Sequence, residues 1–421
     1  GNPAELGLGV PGYKQSEVGV IPEDWNPVVL SMITSEIGDG IHSTPTYSPN
    51  GEYFFINGNN IRDGRIVVTE NTMLVDYSEF KKNKKNLDDR TVLLSINGTI
   101  GNLALYAGEA VMLGKSAAYL NVKGEIGKEY VYYYLQTESV RCQFNDGLTG
   151  TTIRNLGLAT IRNTQIALPP TKAEQEAIAE ALSDADALIE SLEQLIVKKR
   201  QIKQGAMQEL LTGKKRLPGF SEDWKEKPIS SFSAFVTKGA TPTTYGFSWQ
   251  NNGVLFLRSE CVSADGLDLA QSMFISETAH AALIRGEVRA GDILMTITGN
   301  VGRVVHLGTG FGVANINQHI ARIRVNEPDV SSSFVFHWLS QLSVRAYYAL
   351  ITTGQAYPQI SLKQVRETQV PLPLFPEQTA IATLLSDMDA EIAALEAKLA
   401  KTRALKQGMM HKLLTGRIRL L

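Results

Sequence analysis

The chain contains itself twice. Displacing its 421 residues by 203 lays Glu174–Leu217 over Glu377–Leu420 without a gap, with 25 of 44 positions identical. The blocks EQxAIAxxLSDxDAxI and KQGxMxxLLTG recur, and fainter matches extend outward. Glu23-Asp24-Trp25 answers Glu222-Asp223-Trp224, Leu93–Gly101 answers Leu294–Gly302, and Thr149-Gly150 answers Thr353-Gly354. Ile161–Pro169 answers Val365–Pro373. Each half far exceeds the roughly 20–45 residues of a stacked solenoid repeat. The order is therefore variable region, similar segment, variable region, similar segment.

The similar segments predict long helices. Thr171 and Glu174 have the spacing of a capping box, in which each side chain satisfies a free backbone N–H of the first turn. Pro376 suits the first turn of the second copy, and Gly213 and Gly416 suit the stops. Ile178, Leu182, Ala185, Ile189, Leu192 and Ile196 are spaced 4-3-4-3-4, as are Ile381, Leu385, Met388, Ile392, Leu395 and Leu399. That is the seam of a coiled coil. The seam is expected to resume at Ile202, Ala206 and Leu210. Gly205 and Gly408 each cost about 1 kcal/mol relative to Ala inside a helix, which points to close backbone approach there. The simplest packing pairs the two helices antiparallel. The joints after Gly213 and Gly416 read alike, so the chain reads as a cut circle with its ends close together.

The variable regions predict short strands. Tyr53–Ile56 and Val254–Leu257 precede Asp-Gly turns, Thr91–Ile96 and Asp292–Ile297 are β-branched runs, and Tyr119–Val122 and Ile320–Val325 are apolar runs. Ile166–Leu168 and Val370–Leu372 read as closing strands. Tyr130–Arg141 and Phe334–Tyr348 each predict one aromatic-rich helix. The fold class is α+β: two small mixed domains separated by two long antiparallel helices that form a coiled-coil spacer, with a pseudo-two-fold repeat. The expected boundaries are 1–170, 171–213, 214–373 and 374–421.

Two cysteines, Cys142 and Cys261, exclude a disulfide scaffold or a Cys-rich zinc site. No apolar run reaches the length of a membrane span, and Gly1–Val10 lacks a basic-then-apolar leader, so a cytoplasmic setting is expected. The net charge of −2 excludes a uniformly basic nucleic-acid binder. Gly114-Lys115-Ser116 imitates the end of a phosphate loop, but Glu109 stands where its first Gly belongs, and a strand is expected next. The six histidines have no metal-ligand spacing, and no catalytic motif stands out. We expect no catalytic residue, no metal and no cofactor.

What remains is polar loop chemistry suited to DNA. Lys81, Lys82, Lys84 and Lys85 can neutralise several phosphates. The loops with His42, Ser43 and Thr44, and with Lys238, Thr241, Thr243, Thr244 and Tyr245, lie at similar places in the two halves. Asn97 and Asn300 sit in matching Gly-bounded turns. Thr152 and Arg154, with Gln355 and Tyr357, are further loop candidates, and Arg258, Arg303 and Gln318 suit guanine or adenine edges.

The chain resembles the specificity (S) subunits of type I restriction-modification systems. Tyr13-Lys14-x-Ser16-Glu17-Val18-Gly19-x-Ile21-Pro22-Glu23-Asp24-Trp25 carries the resemblance, with Leu217-Pro218-Gly219-Phe220-Ser221-Glu222-Asp223-Trp224. So do the Pro376-Glu377-Gln378-x-x-Ile381 start and the Lys-x-Gly-x-Met-x-x-Leu-Leu-Thr-Gly endings at Lys203–Gly213 and Lys406–Gly416; Ala173 replaces the expected Pro in the first copy. The resemblance implies two target recognition domains, each reading half of a split asymmetric double-stranded DNA sequence, held apart by paired helices. It implies two methylation (M) subunits docked on the S subunit and two motor/nuclease (R) subunits completing the complex. The S subunit itself would bind no cofactor and no membrane, and would catalyse nothing. A coiled-coil adaptor with two protein-binding heads, or a self-contained DNA methyltransferase or nuclease, are the alternatives.

Overall fold

The computed structural model describes residues 12–150, 154–354 and 357–420. The chain forms two compact units, Gly1–Glu193 with Lys398–Leu421, and Gln194–Ala397. Each long helix starts in one unit and ends in the other.

Both units repeat one plan. In the first, strands Leu103–Leu105, Thr91–Ser95, Ala117–Val122 and Thr34–Asp39 form an antiparallel sheet in that order. In the second, Val304–His306, Ile293–Thr296, Ile320–Arg324 and Phe235–Lys238 do the same. A further sheet in each unit pairs Tyr53–Ile56 parallel with Val111–Leu113, or Val254–Leu257 parallel with Ala314–Ile316. Strands Thr91–Ser95 and Ile293–Thr296 are buried on both faces, which is why they read as largely apolar runs rather than as alternations.

The long helices span Lys172–Leu210 and Phe375–Leu413, 39 residues each, or about 58 Å at roughly 1.5 Å per residue. Within each unit their segments run antiparallel. Arg403 pairs with Glu193 and Lys406 with Asp186, both at 2.5 Å, in the first unit. Lys199 pairs with Glu391 and Arg200 with Glu396, both at 2.6 Å, in the second. Such exposed pairs stabilise little; the apolar seam carries the packing. Its positions from Ile178 to Ile196 and from Ile381 to Leu399 are buried or half-buried, while Leu188 and Leu195 beside it are exposed. Ile178 and Leu182 enter the core of the first unit, and Ile381 and Leu385 that of the second.

Four expectations are corrected. The seam does not resume at Ile202, which is 48% exposed. Gly205 and Gly408 face open space, with nothing within 4 Å of a Cβ added at either, so they mark no close approach. Thr171 caps Glu174 N at 3.2 Å, but the Glu174 carboxylate turns away from the helix start to Arg419. The two aromatic helices are each broken, into Lys128–Tyr134 and Glu138–Asp146, and into Ser332–Leu339 and Leu342–Ile351. Thr137 is the reason in the first: its ψ of 155° leaves the helix and its hydroxyl caps the next one. The first and last described segments meet, with Tyr13 Oη donating to Gly416 O at 3.2 Å and Arg419 clasping Asp24 at 2.9 Å.

The two cores differ where Tyr133 of the first unit is replaced by His337 of the second. His337 is 1% exposed; its Nε2 meets Ser386 Oγ at 3.0 Å and its Nδ1 has no partner among the described residues. Burial, then the charge of Lys203 and the nearby His306, lowers its pKa from 6.5 to about 3. Burial lowers that of His306 as well. Both rings stay neutral in the folded unit and take up protons on unfolding. Because the folded values lie below the unfolded one, their contribution is complete above pH 6.5 and is lost as pH falls toward the folded value, by up to about 1.4 kcal/mol per pH unit for each ring. His337→Gln is expected to flatten the fall in unfolding free energy between about pH 6.5 and 4.5. Identical slopes in urea titrations of variant and parent would refute this.

Candidate nucleic-acid interface

One end of the sheets in each unit gathers loops distant in sequence. In the first unit, Ile41 N donates to Leu113 O at 2.9 Å, Gly114 N to Ile56 O at 2.8 Å, Ile96 N to Ser116 O at 3.0 Å and Leu156 N to Ile96 O at 2.8 Å. Asn97 bridges Asn155. Loops following residues 40, 57, 97 and 114 are thereby brought together with Arg154 and the strand Asn155–Leu156. Ser116 Oγ donates to Asn57 Oδ1 and accepts from Gly58 N, both at 2.9 Å, fixing two of them. Gly40 is required here: an added Cβ would lie 2.1 Å from Leu113 O.

The second unit repeats the arrangement with other side chains. Asn317 N donates to Leu257 O at 3.1 Å, Ile297 N to His319 O at 2.9 Å and Gly299 N to Pro358 O at 2.8 Å. Gly239 is the counterpart of Gly40, its added Cβ falling 1.6 Å from Ile316 O. Thr241 Oγ1 donates to Gln318 Oε1 at 2.5 Å, and the His319 and Tyr357 rings meet edge to face at 6.5 Å.

Matching the strands matches the loops. Position by position, Asn57 becomes Arg258, Lys115 becomes Gln318, Ser116 becomes His319, and Asn97 becomes Thr298. The frame is held and its polar ends are exchanged. Geometry of this kind presents different donors and acceptors to a duplex without altering the fold, which is what base readout needs.

The sequence profile described as "Type I restriction modification DNA specificity domain" matches residues 22–199 and 221–402. The chain belongs to the type I restriction-modification DNA specificity family. It is 26% identical over 97% of its length to a putative type I restriction enzyme specificity subunit of Methanocaldococcus jannaschii, of which it covers 96%. It is 24% identical over 75% of its length to the EcoBI specificity subunit of Escherichia coli, covering 71% of that protein. Its fold is that of the crystallised S subunit of M. genitalium, with TM-score 0.62, 18% identity and coverage of 92% and 96% of the two chains. An S subunit is the non-catalytic, DNA-recognising member of its complex, so the methyltransferase, nuclease and adaptor alternatives fall away.

Most of the residues singled out in this S subunit sequence gather at these loop ends. His42, Ser43 and Thr44 are exposed, His42 Nε2 lying 2.9 Å from Asp39 Oδ2. Asn97 and Arg154 join them across the Asn97–Asn155 bridge. Lys238, Thr243, Thr244 and Tyr245 are exposed on the loop of Thr241, and Arg258 Nε donates to Gln271 O at 3.1 Å. Asn300 is exposed in the turn beside Pro358. Thr152 and Gln355 lie outside the described residues.

Two selections lie elsewhere. Lys81 and Lys82 are on helix Tyr77–Asn83, with Lys84 and Lys85 following. That helix rests on Tyr53 through a Phe80 stack at 3.8 Å, and Asn86 accepts from Asn121. Asn121 and Tyr53 stand at the strand ends away from Ser116 and Asn57, so this basic patch is apart from the loop cluster. Arg303 lines a cleft beside the long helices. Conversely, Asn57, Lys115, Ser116 and His319 were missed. The signal was present: Gly114-Lys115-Ser116 fails as a phosphate loop, yet it is a polar turn directly after a strand, as is Asn317-Gln318-His319.

Proposed function

We propose that the two loop clusters are the DNA-reading surfaces, each taking one half of a split, asymmetric double-stranded target. His42, Asn57, Asn97, Lys115 and Arg154 serve one half-site; Thr241, Arg258, Gln318 and Tyr357 serve the other. Residues 1–170 and 214–373 act as readers, and 171–213 and 374–421 as the paired helices that set the half-site spacing. The observation that carries this reading is the exchange of Asn57 for Arg258 and Lys115 for Gln318 at equivalent positions of one frame. Two methylation subunits dock on the chain, and motor/nuclease subunits join through that complex, in the cytoplasm. The name of a related structure, on complex assembly and conformational transition of the type I system, accords with such an assembly (TM-score 0.55, 16% identity).

Exchanging residues 214–373 for those of another member, in the complex assembled with its methylation subunits, is expected to change one half of the methylated sequence and leave the other intact. Mapping methylated adenines decides it. A change in both halves, or in neither, would sink the modular reading.

A further inference from the structure

The copies diverge on the helix after Gln341. Helix Leu342–Ile351 buries Val344 and Tyr348, just as Glu138–Asp146 buries Val140 and Phe144. Its opposite side carries Leu342, Ala346, Ala349 and Leu350, all exposed. Their i, i+4, i+7, i+8 spacing is that of a helix face made to pack. Leu342 is 62% and Leu350 85% exposed. The same positions in the first copy are Glu138, Cys142, Asn145 and Asp146, an ordinary solvent face. A helix apolar all round belongs in an interior, and a continuous exposed apolar patch marks an interaction site.

A cleft of about 680 Å³ adjoins this face; Leu342 belongs to both, and Arg345 lines the cleft. Met207, Phe336 and Ile392 give it apolar walls. Of its charged groups, Arg200 pairs with Glu396 and Lys203 with Asp389, which leaves Arg303 and Arg345 against Asp265. The Arg303 Nε is buried without a partner among the described residues. In the first copy the matching positions carry larger side chains that pair with one another. There Tyr133 Oη donates to Asp186 at 2.9 Å, and Arg65 pairs with Glu190 at 2.5 Å. In the second copy His337 stands for that tyrosine, Ala393 for the glutamate, and Gly266-Leu267 for the turn bearing the arginine.

We propose that the Leu342–Leu350 face and this cleft form a docking surface for one amphipathic helix of a partner protein, apolar on one side and flanked by carboxylates. Leucine-sized side chains would cover the exposed stripe, and the carboxylates would meet Arg303 and Arg345. Among the described residues the matching helix of the first unit carries no such apolar stripe, so one such helix binds per chain. The Leu342–Leu350 stripe lies outside the residues assigned to DNA reading, while the cleft reaches Gly302 and Arg303 at the end of the Asn300 turn.

The test uses the full chain and a fluorescein-labelled synthetic helix of about 18 residues, five turns, with leucines at the i, i+4, i+7, i+8 positions flanked by glutamates. Anisotropy at near-physiological salt is expected to show saturable one-to-one binding, roughly ten-fold weaker when lysines replace the glutamates. Leu342→Glu with Leu350→Asp, both at exposed positions, is expected to weaken binding by at least about ten-fold while leaving the thermal melt unchanged. Arg345→Glu should shift preference toward the lysine peptide. No saturable binding, equal affinity for both peptides, or indifference to the double substitution would overturn the proposal. So would a dimer of the chain that the double substitution dissolves, since the face would then belong to a second copy.

Discussion

Arg419→Met is expected to destabilise the first unit by about 3–5 kcal/mol, the scale for orphaning one partner of a buried ion pair. Arg419 comes from the last residues of the chain. Its Nη2 donates to Glu174 Oε2 at 2.9 Å, its Nη1 and Nη2 to the Asp24 carboxylate at 2.9 Å, and its guanidinium lies 5.6 Å from the Trp25 ring centre. The Glu174 side chain is 2% exposed, whereas that of Asp24 is 51% exposed. Asp24 can return to water when the arginine goes; Glu174 cannot. The cost therefore sits on the Arg419–Glu174 pair. Removing both charges, with Glu174→Met added, is expected to recover most of the loss, because a buried pair replaced by apolar groups is often near neutral. Hydrogen exchange of the Ile178–Leu182 helix segment reads the effect locally. A double variant no more stable than the single one would refute the buried-charge account.

The second unit contains the same clasp made by the middle of the chain. Arg216 Nε and Nη2 meet the two Glu377 oxygens at 2.7 Å, Nη2 also donates to Glu222 O at 2.8 Å, and the guanidinium lies 5.7 Å from the Trp224 ring. Glu377 is 1% exposed. The clasp thus ties each long helix start to the segment that follows the other helix, and does so once through an internal joint and once across the chain ends.

Much of this was legible in the sequence because it is written in short periods. The 3.5-residue seam of Ile178–Ile196 and the β-branched runs at Thr91 and Asp292 declare their elements within a single window. What escaped needs long-range partners. Thr171 and Glu174 look like a capping box, but the carboxylate finds an arginine 245 residues away. Gly205 records only a backbone cost, and nothing in the chain says what lies opposite. The pattern from Tyr130 to Arg141 stays amphipathic through the break at Thr137, so periodicity alone cannot see it. In the sequence alone Lys115 belongs only to a failed phosphate-loop pattern. Its place beside Asn57 and Asn97 exists because Gly114 pairs with Ile56 and Ser116 with Ile96, and pairing of distant strands is not local information.

That placement makes Lys115 and Gln318 the most informative pair for base selection. Lys115 is exposed at the turn that joins the two sheets of the first unit, and Gln318 occupies the same turn in the second. Lysine offers donors only and suits guanine O6 and N7, whereas a glutamine amide offers one donor and one acceptor and suits adenine. Lys115→Gln is expected to change base preference at one position of one half-site, by about 1–3 kcal/mol, and to leave the other half-site unaltered. Gln318→Lys should do the converse. Replacing Lys81, Lys82, Lys84 and Lys85 together by alanine is expected to shallow the salt dependence of binding by at most their number of phosphate contacts, without altering base preference, because phosphate contacts carry no sequence information. Binding measured against a set of single-base variants, in the assembled complex, separates these outcomes. If Lys115→Gln weakens every sequence equally while the four-lysine variant changes base preference, the assignment of reader and patch is the wrong way round.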